Sequence, residues 1–255
     1  MKGIKTYLLA AAMMLIGAAV LTGCGNEGQK DETVLKVGTN ATYLPFEFKG
    51  EDGSYQGYDM DLARAIGKEL GMKVEIHNIS FDGLLNALGS GQINMIASGM
   101  SITEEREKKV NFIPYYESGQ GIMVANGQKD SIKTPADLEG KKIAVQLAST
   151  GAEQAHKIPN AAVTEFNHNS EAFLELKQGG ADAVIADLPV IQYYLATTND
   201  SGAVMLDAVL DKSPMGLAFN KEDKALYENV QKALQSLKEK GELQKIHDKW
   251  FKAEK

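Results

Sequence analysis

Apolar positions along this chain alternate between two rhythms. Short runs with a period of two, or none, predict strands at Val34–Gly38, Lys73–Ile76, Ile93–Ala97, Lys142–Val145, Ala162–Phe166, Ala183–Ala186 and Met215–Phe219. Between them, Tyr58–Leu70 places Leu62, Ile66 and Leu70 at i, i+4 and i+8 with Gly71 just beyond, the spacing of an amphipathic helix with a glycine stop. Shorter helices are predicted at Asp82–Leu88 behind an Asp cap, at Thr150–Ala155, at Ser170–Gln178 and at Asp187–Leu195, with two longer ones at Lys221–Lys238 and Glu242–Phe251. Ser101-Ile102-Thr103-Glu104 has the spacing of a capping box opening a charged helix over Glu104–Lys109. Repeated β-α alternation implies an α/β protein with mostly parallel sheets covered on both faces. Two segments break the rhythm, Tyr115–Gly121 and Leu210–Met215. Their Gly, Ser and Pro content suits either surface loops or two hinge crossings between lobes.

The N-terminus follows neither rhythm. Lys2 and Lys5 precede an uncharged stretch from Tyr7 to Val20, then Leu21-Thr22-Gly23-Cys24. Basic start, short apolar core and small residues before a cleavage point are the parts of a secretory signal over residues 1–23. Fourteen apolar residues fall short of the roughly 20 that a membrane-spanning helix needs. Leu-Thr-Gly-Cys resembles the lipobox of bacterial lipoproteins, which implies lipidation at Cys24 and a membrane anchor. Cys24 is the only cysteine, so no internal disulfide forms, and a lipid would consume a thiol otherwise exposed to oxidation. Residues 24–32 are polar and carry no apolar periodicity, as a tether would.

Removing the first 23 of 255 residues leaves 232, and losing Lys2 and Lys5 takes the formal charge from −7 to −9. An acidic body of this kind argues against nucleic acid or anionic lipid as a partner. Enzyme signatures are missing too. There is no G-x-S-x-G, H-E-x-x-H or Walker A sequence. His77, His156, His168 and His247 lack metal-ligand spacing and read as surface or structural residues, so no cofactor or metal is expected.

Three stretches carry a resemblance. Gly38-Thr39-Asn40-Ala41-Thr42-Tyr43-Leu44-Pro45-Phe46-Glu47, Gly57-Tyr58-Asp59-Met60-Asp61-Leu62 and Ser98-Gly99-Met100-Ser101-Ile102-Thr103-Glu104-Glu105-Arg106, in this order and spacing, resemble the polar-amino-acid solute-binding proteins, family 3, of bacterial ABC importers. The likeness runs from about Val34 to Phe251. It implies the type II periplasmic-binding-protein fold, with two α/β lobes, two hinge crossings and a ligand in the interlobe cleft. Residues 33–117 plus 215–255 would form one lobe and 118–214 the other. It further implies an extracytoplasmic, monomeric receptor that takes a free L-amino acid to a permease and ATPase complex.

The resemblance also assigns residues. Arg106 matches the carboxylate-binding arginine, although EEREKK alone reads as a solvated helix face. Its planar fork can take both carboxylate oxygens, which Lys cannot do. Ser101, expected at a helix N-terminus, favours the same anion. Thr150 and Gly151 match a second set of N–H donors. Asp187 matches the acid for the ammonium, although by itself it reads as a helix cap; Ser98, Gly99 and Ser101 belong to the same corner. Tyr43 and Phe81 match positions flanking the ligand's stem. Asn40 and Gln146, both neutral amides, lie toward the ligand's side-chain end and make glutamine the favoured ligand by mutual donor–acceptor pairing, ahead of a basic amino acid such as arginine. Arginine, lysine or histidine would want an acid there, for which Glu47 and Asp82 are the candidates. A dehydratase-like enzyme and a sensor or adhesin domain are the alternatives the same fold allows.

Overall fold

The computed structural model describes residues 33–198 and 202–252. The predicted signal, Cys24 and the tether lie outside the described residues. From Thr33 onward the chain forms one compact unit.

Its first half contains β1 (Val34–Thr39), β2 (Thr42–Tyr43), β3 (Glu47–Lys49), β4 (Tyr55–Gln56), α1 (Tyr58–Leu70), β5 (Lys73–Asn78), α2 (Leu84–Gly89), β6 (Met95–Ile96), α3 (Glu104–Glu107) and β7 (Val110–Tyr116). The second half contains β8 (Gln120–Ala125), β9 (Lys142–Gln146), α4 (Thr150–Ala155), β10 (Ala162–Phe166), α5 (Asn169–Lys177), β11 (Ala183–Asp187), α6 (Leu188–Thr198), β12 (Ala203–Asp211), β13 (Met215–Asn220), α7 (Lys224–Glu239) and α8 (Glu242–Phe251).

Two five-stranded sheets result, ordered β5-β1-β6-β13-β7 and β10-β9-β11-β8-β12. In each the first three strands run parallel and the fourth, β13 or β8, runs antiparallel to both its neighbours. The expectation of mostly parallel sheets is therefore corrected to mixed ones. Strands β8 and β12 were not predicted, and only their ends, Gln120–Gly121 and Leu210–Asp211, fall in the two segments read as loops or hinge crossings. The chain passes from the first sheet to the second between Tyr116 and Gln120, and back between Asp211 and Met215. These passages lie side by side, since Tyr116 pairs with Met215 and Gln120 with Asp211. A small third sheet, β2-β3-β4, sits beside α1.

The helices form for legible reasons. Helix α1 buries Leu62, Ala63 and Ile66 along one stripe and ends at Gly71, whose left-handed φ of 66° lets its N–H return to the carbonyls of Gly67 and Lys68. Helix α7 is capped by Asp223, which accepts from the Leu226 N–H, and buries Val230, Ala233 and Leu237. Phe251 of α8 joins Phe46, Tyr58 and Tyr116 in an aromatic cluster with ring centroids 4.8–6.1 Å apart.

Three local expectations change. Thr103, not Ser101, caps α3; its hydroxyl accepts from the Arg106 N–H, while Ser101 is held by a backbone bridge to Met215. Asp82 caps nothing, because Phe81–Gly83 forms a 3-10 turn and α2 begins after it. Asp187 ends β11 rather than opening a helix.

Candidate functional site

Parallel α/β sheets place their ligands beyond the carboxyl ends of the strands. Here β1 delivers Asn40, β6 delivers Ser98, Gly99 and Ser101, β9 delivers Gln146, and β11 delivers Asp187. These residues converge on one narrow pocket between the two sheets. Tyr43, Glu47, Phe81, Arg106, Ser149 and Thr150 complete its wall. Of the eleven residues that the resemblance assigned to the site, ten line it. Gly151 does not; it lies one residue further into α4, so close to Ile185 that a Cβ would come within 2.6 Å of that carbonyl oxygen.

Two charges dominate. Arg106 is 7% exposed and Asp187 4%. The guanidinium donates to the Ser101 carbonyl at 2.7 Å and to the Ala148 carbonyl at 3.0 Å, and its carbon lies 5.5 Å from the Phe81 ring centre. It makes no ion pair among the described residues, and burial lowers its pKa. Asp187 accepts from Ser118 Oγ and Gln120 Nε2 at 2.9 Å each, and from the Tyr43 hydroxyl. Burial pushes its carboxyl up to about 6, against the lowering effect of those hydrogen bonds and of Arg106. The pocket thus holds a cation and an acid poised to ionise near neutrality, which is what a zwitterion requires.

Around them, groups from the two sheets meet directly. Ser101 Oγ and Thr150 Oγ1 are 3.1 Å apart. Gln146 Nε2 donates to Asn40 Oδ1 at 3.1 Å. The Asn40 side-chain amide also donates to the Ile79 carbonyl at 3.0 Å, and the Asn40 backbone N–H donates to Ser98 Oγ at 2.9 Å. Ser149 caps α4, accepting from the Ala152 N–H at 3.1 Å.

Of the two acids left open, Glu47 lies in the wall and is buried, whereas Asp82 is exposed. Glu47 Oε1 accepts from Ser98 Oγ at 3.2 Å. Burial, then the neighbouring Asp59 carboxylate, raises its pKa well above the usual carboxyl range. Sequence reasoning missed Ser149, although a Ser before Thr-Gly is a recognisable cap signal. It also missed His168, whose Nδ1 lies 3.4 Å from the Asn40 side chain and 3.5 Å from Thr42 Oγ1. Nothing in its spacing marks it, because the contact crosses between sheets. Among the described residues no cluster of His, Cys, Asp and Glu could hold a metal ion.

Known proteins place this architecture. Residues 35–253 match the model of the bacterial extracellular solute-binding proteins, family 3. The arginine-binding extracellular protein ArtP of Bacillus subtilis (strain 168) is 34% identical over 254 residues, 95% of this chain and 98% of that protein. An ancestral arginine-binding protein bound to arginine superposes with a TM-score of 0.83 at 44% identity, covering 86% of this chain and 99% of its own. An ancestral arginine-binding protein bound to glutamine gives 0.81, again at 44% identity, over 87% and 99%. With a family model spanning nearly all of the described chain, two mixed sheets joined by paired crossings and a charged pocket between them, the chain belongs to the bacterial extracellular solute-binding proteins of family 3.

Proposed function

We propose that this protein is an extracytoplasmic receptor that captures a polar L-amino acid and delivers it to an ABC importer. One observation carries the reading: buried Arg106, on α3 between β6 and β7 of the first sheet, and buried Asp187, at the end of β11 in the second, are opposite in charge and face one pocket. Arg106 takes the ligand's carboxylate in a two-pronged pair, helped by the hydroxyls of Ser101 and Thr150. Asp187 takes the ammonium. Ser98 and Gly99 finish that corner.

The lobes divide as 33–117 plus 215–255 and 118–214, a division supported by the strand membership of the two sheets. A ligand touching both lobes stabilises the closed form through contacts the open form lacks. Cys24 carries the lipid anchor and residues 25–32 the tether. The receptor works as a monomer, without cofactor or covalent chemistry.

The ligand's side chain ends in a planar, nitrogen-bearing head. Arginine is the first reading, supported by the arginine-binding relatives and by the aromatic faces of Tyr43 and Phe81 on which a guanidinium can lie. Glutamine is the second, supported by the neutral amides of Asn40 and Gln146 at the far wall. Glu47 does not decide between them, because burial and the neighbouring Asp59 carboxyl raise its pKa well above the usual carboxyl range and so weaken it as a partner for a cationic head. Glutamate finds no second cation and binds weakly.

A thermal-shift screen of the twenty amino acids, then competition calorimetry, tests this. A ligand at 100 times its Kd adds about 2.7 kcal/mol of stability. Arginine binding tenfold or more tighter than glutamine is the expected result. Glutamine binding tighter selects the second reading, and no shift with any amino acid overturns the receptor assignment.

A further inference from the structure

Beneath the pocket lies a second acidic group that amino-acid capture does not use directly. Asp59, in the first turn of α1, is fully buried. Its Oδ2 accepts from the Gly99 N–H at 2.8 Å and from the Tyr115 hydroxyl at 2.7 Å. Its other oxygen, Oδ1, meets no protein donor, and neither does Glu47 Oε2. The two carboxyl groups flank the same turn, Asp59 on the Gly99 N–H and Glu47 on the Ser98 hydroxyl, with Glu47 Oε1 3.7 Å from where a Gly99 Cβ would stand, and each acts on the other's titration. Two ionised carboxylates in such a place would repel in a medium that screens poorly, so one proton between them is the stable arrangement.

Hydrogen-bond direction says which residue holds it. Asp59 already accepts twice at Oδ2, so it is the ionised member. Glu47 accepts from Ser98 at Oε1, leaving Oε2 to carry the proton and donate to Asp59 Oδ1. We propose that Glu47 and Asp59 form a one-proton carboxyl pair that acts as the positioning element for the Gly99 corner of the binding site. The inference deepens the amino-acid-receptor reading and rests on it for its effect on affinity.

The geometry of Gly99 explains why such an element is needed. Its φ is +54°, and a Cβ there would come within 3.0 Å of the Tyr43 ring. The turn is therefore left-handed and packed against the aromatic ring that flanks the ligand. Asp59 anchors its N–H, Tyr115 ties Asp59 to the last turn of strand before the first crossing, and Ser98 links Glu47 to the backbone of Asn40. One connected network thus spans the pocket floor from Asn40 to Tyr115. The other titratable groups facing the pair are Tyr43, Tyr58 and Tyr115, whose hydroxyls burial holds protonated, and Asp187 across the cleft.

The test uses the full mature chain at pH 7.5. Without ligand, infrared spectroscopy should find the carbonyl stretch of an un-ionised carboxyl, removed by Glu47→Gln and retained in Asp187→Asn. Exchange of the Gly99 amide proton should be slow in wild type and in Glu47→Gln, and at least tenfold faster in Glu47→Ala, because the amide of Gln can still donate to Asp59. With ligand, Glu47→Gln should bind at least tenfold tighter than Glu47→Ala. Absence of the infrared band, its survival in Glu47→Gln, or equal Gly99 exchange in the Gln and Ala variants would overturn the pair. A wild type that shows the band and the slow exchange but binds no amino acid supports the pair and overturns the receptor reading instead.

Discussion

The Tyr43 hydroxyl donates to Asp187 Oδ2 across the cleft, and the Asp187 N–H donates back to the Tyr43 hydroxyl oxygen at 3.3 Å. One phenol is thereby held by both the side chain and the backbone of a residue in the opposite sheet. A hydrogen bond to a charged group contributes about 1.5–3 kcal/mol. Tyr43→Phe keeps the ring and loses the strap, so ligand affinity should fall about tenfold or more. Scattering with saturating ligand should still show a compact particle. Tyr43→Ala, which also removes the aromatic face, should bind more weakly than Tyr43→Phe by calorimetry.

Arg106 is the anchor common to every amino acid. Leaving the partner of a buried, hydrogen-bonded charge unpaired costs about 2–5 kcal/mol. Arg106→Ala should weaken binding by tens- to thousands-fold, whichever side chain the ligand carries. Arg106→Lys should not restore it, since an ammonium cannot hold both the carboxylate and the carbonyls of Ser101 and Ala148 in one plane. Wild-type affinity in Arg106→Ala would remove the residue from the site.

Asp187 makes binding sensitive to acid. Its pKa stands at about 6 before an ammonium arrives, and an ammonium prefers the ionised form. Affinity should therefore hold above pH 6 and fall below it, by up to about tenfold per pH unit. The effect on folding has the opposite sense. A raised carboxyl pKa means that the unfolded chain ionises first, so this group's contribution to stability declines as pH rises from about 4 to about 6. Calorimetry at pH 5.0, 6.0 and 7.5 reads the first effect and thermal melts over the same range the second. Asp187→Asn should bind weakly, lose the pH dependence of affinity and keep only that part of the stability dependence which the other buried carboxyls, Glu47 and Asp59, supply.

Gly57 is required by space as well as by conformation. Its φ is +125°, and a Cβ would come within 2.1 Å of the Phe46 carbonyl oxygen. That carbonyl also receives the Asp59 N–H at 2.9 Å, so a shift there moves the start of α1 and the carboxyl it carries. Strain and overpacking each cost about 1–3 kcal/mol. Gly57→Ala should lower the melting temperature well beyond the effect of Gly71→Ala, where no atom lies within 4 Å of the added carbon.

Cys24→Ser should shift the protein from the membrane fraction to the soluble one without changing its melting temperature. Two acyl chains give stable anchoring, and residues 24–32 contribute no apolar periodicity to a core. Retention of Cys24→Ser on the membrane would point to an uncleaved signal or a second attachment.

How much of this was legible in the sequence depended on whether a residue's neighbours were local. Helix α1 was readable because Leu62, Ile66, Leu70 and Gly71 specify it between them. Strand β8 was not, because its start is glycine-rich. Gly121 belongs in the strand because the Leu188 side chain of α6 comes within 2.6 Å of where its Cβ would stand, a requirement set by a residue 67 positions away. Ser101 resembled a cap and is held instead by Met215, from the far end of the chain. Ten pocket residues were named through the resemblance, six of them, Asn40, Tyr43, Ser98, Gly99, Ser101 and Arg106, within the three motifs themselves. The Asp59–Glu47 pair was hidden for a different reason. A carboxylate in the first turn of an amphipathic helix reads as solvated, and only its full burial reveals a structural partner.

The two passages between the sheets have a mechanical meaning. They are tied to each other on both sides, by Tyr116 with Met215 and by Gln120 with Asp211, and Gly119 packs so tightly on the Asp211 carbonyl that a Cβ would come within 2.4 Å. Two cords fastened together at both ends behave as a flat strap. A strap bends readily about the axis across its width but resists torsion and resists one edge sliding past the other. In the proposed receptor the opening movement would thereby be confined to a single arc, with Arg106 and Asp187 returning to the same separation at each closure. Lengthening one passage by a residue would slacken one edge of the strap and let the two charges meet out of register, even though every residue that touches the ligand had been left in place.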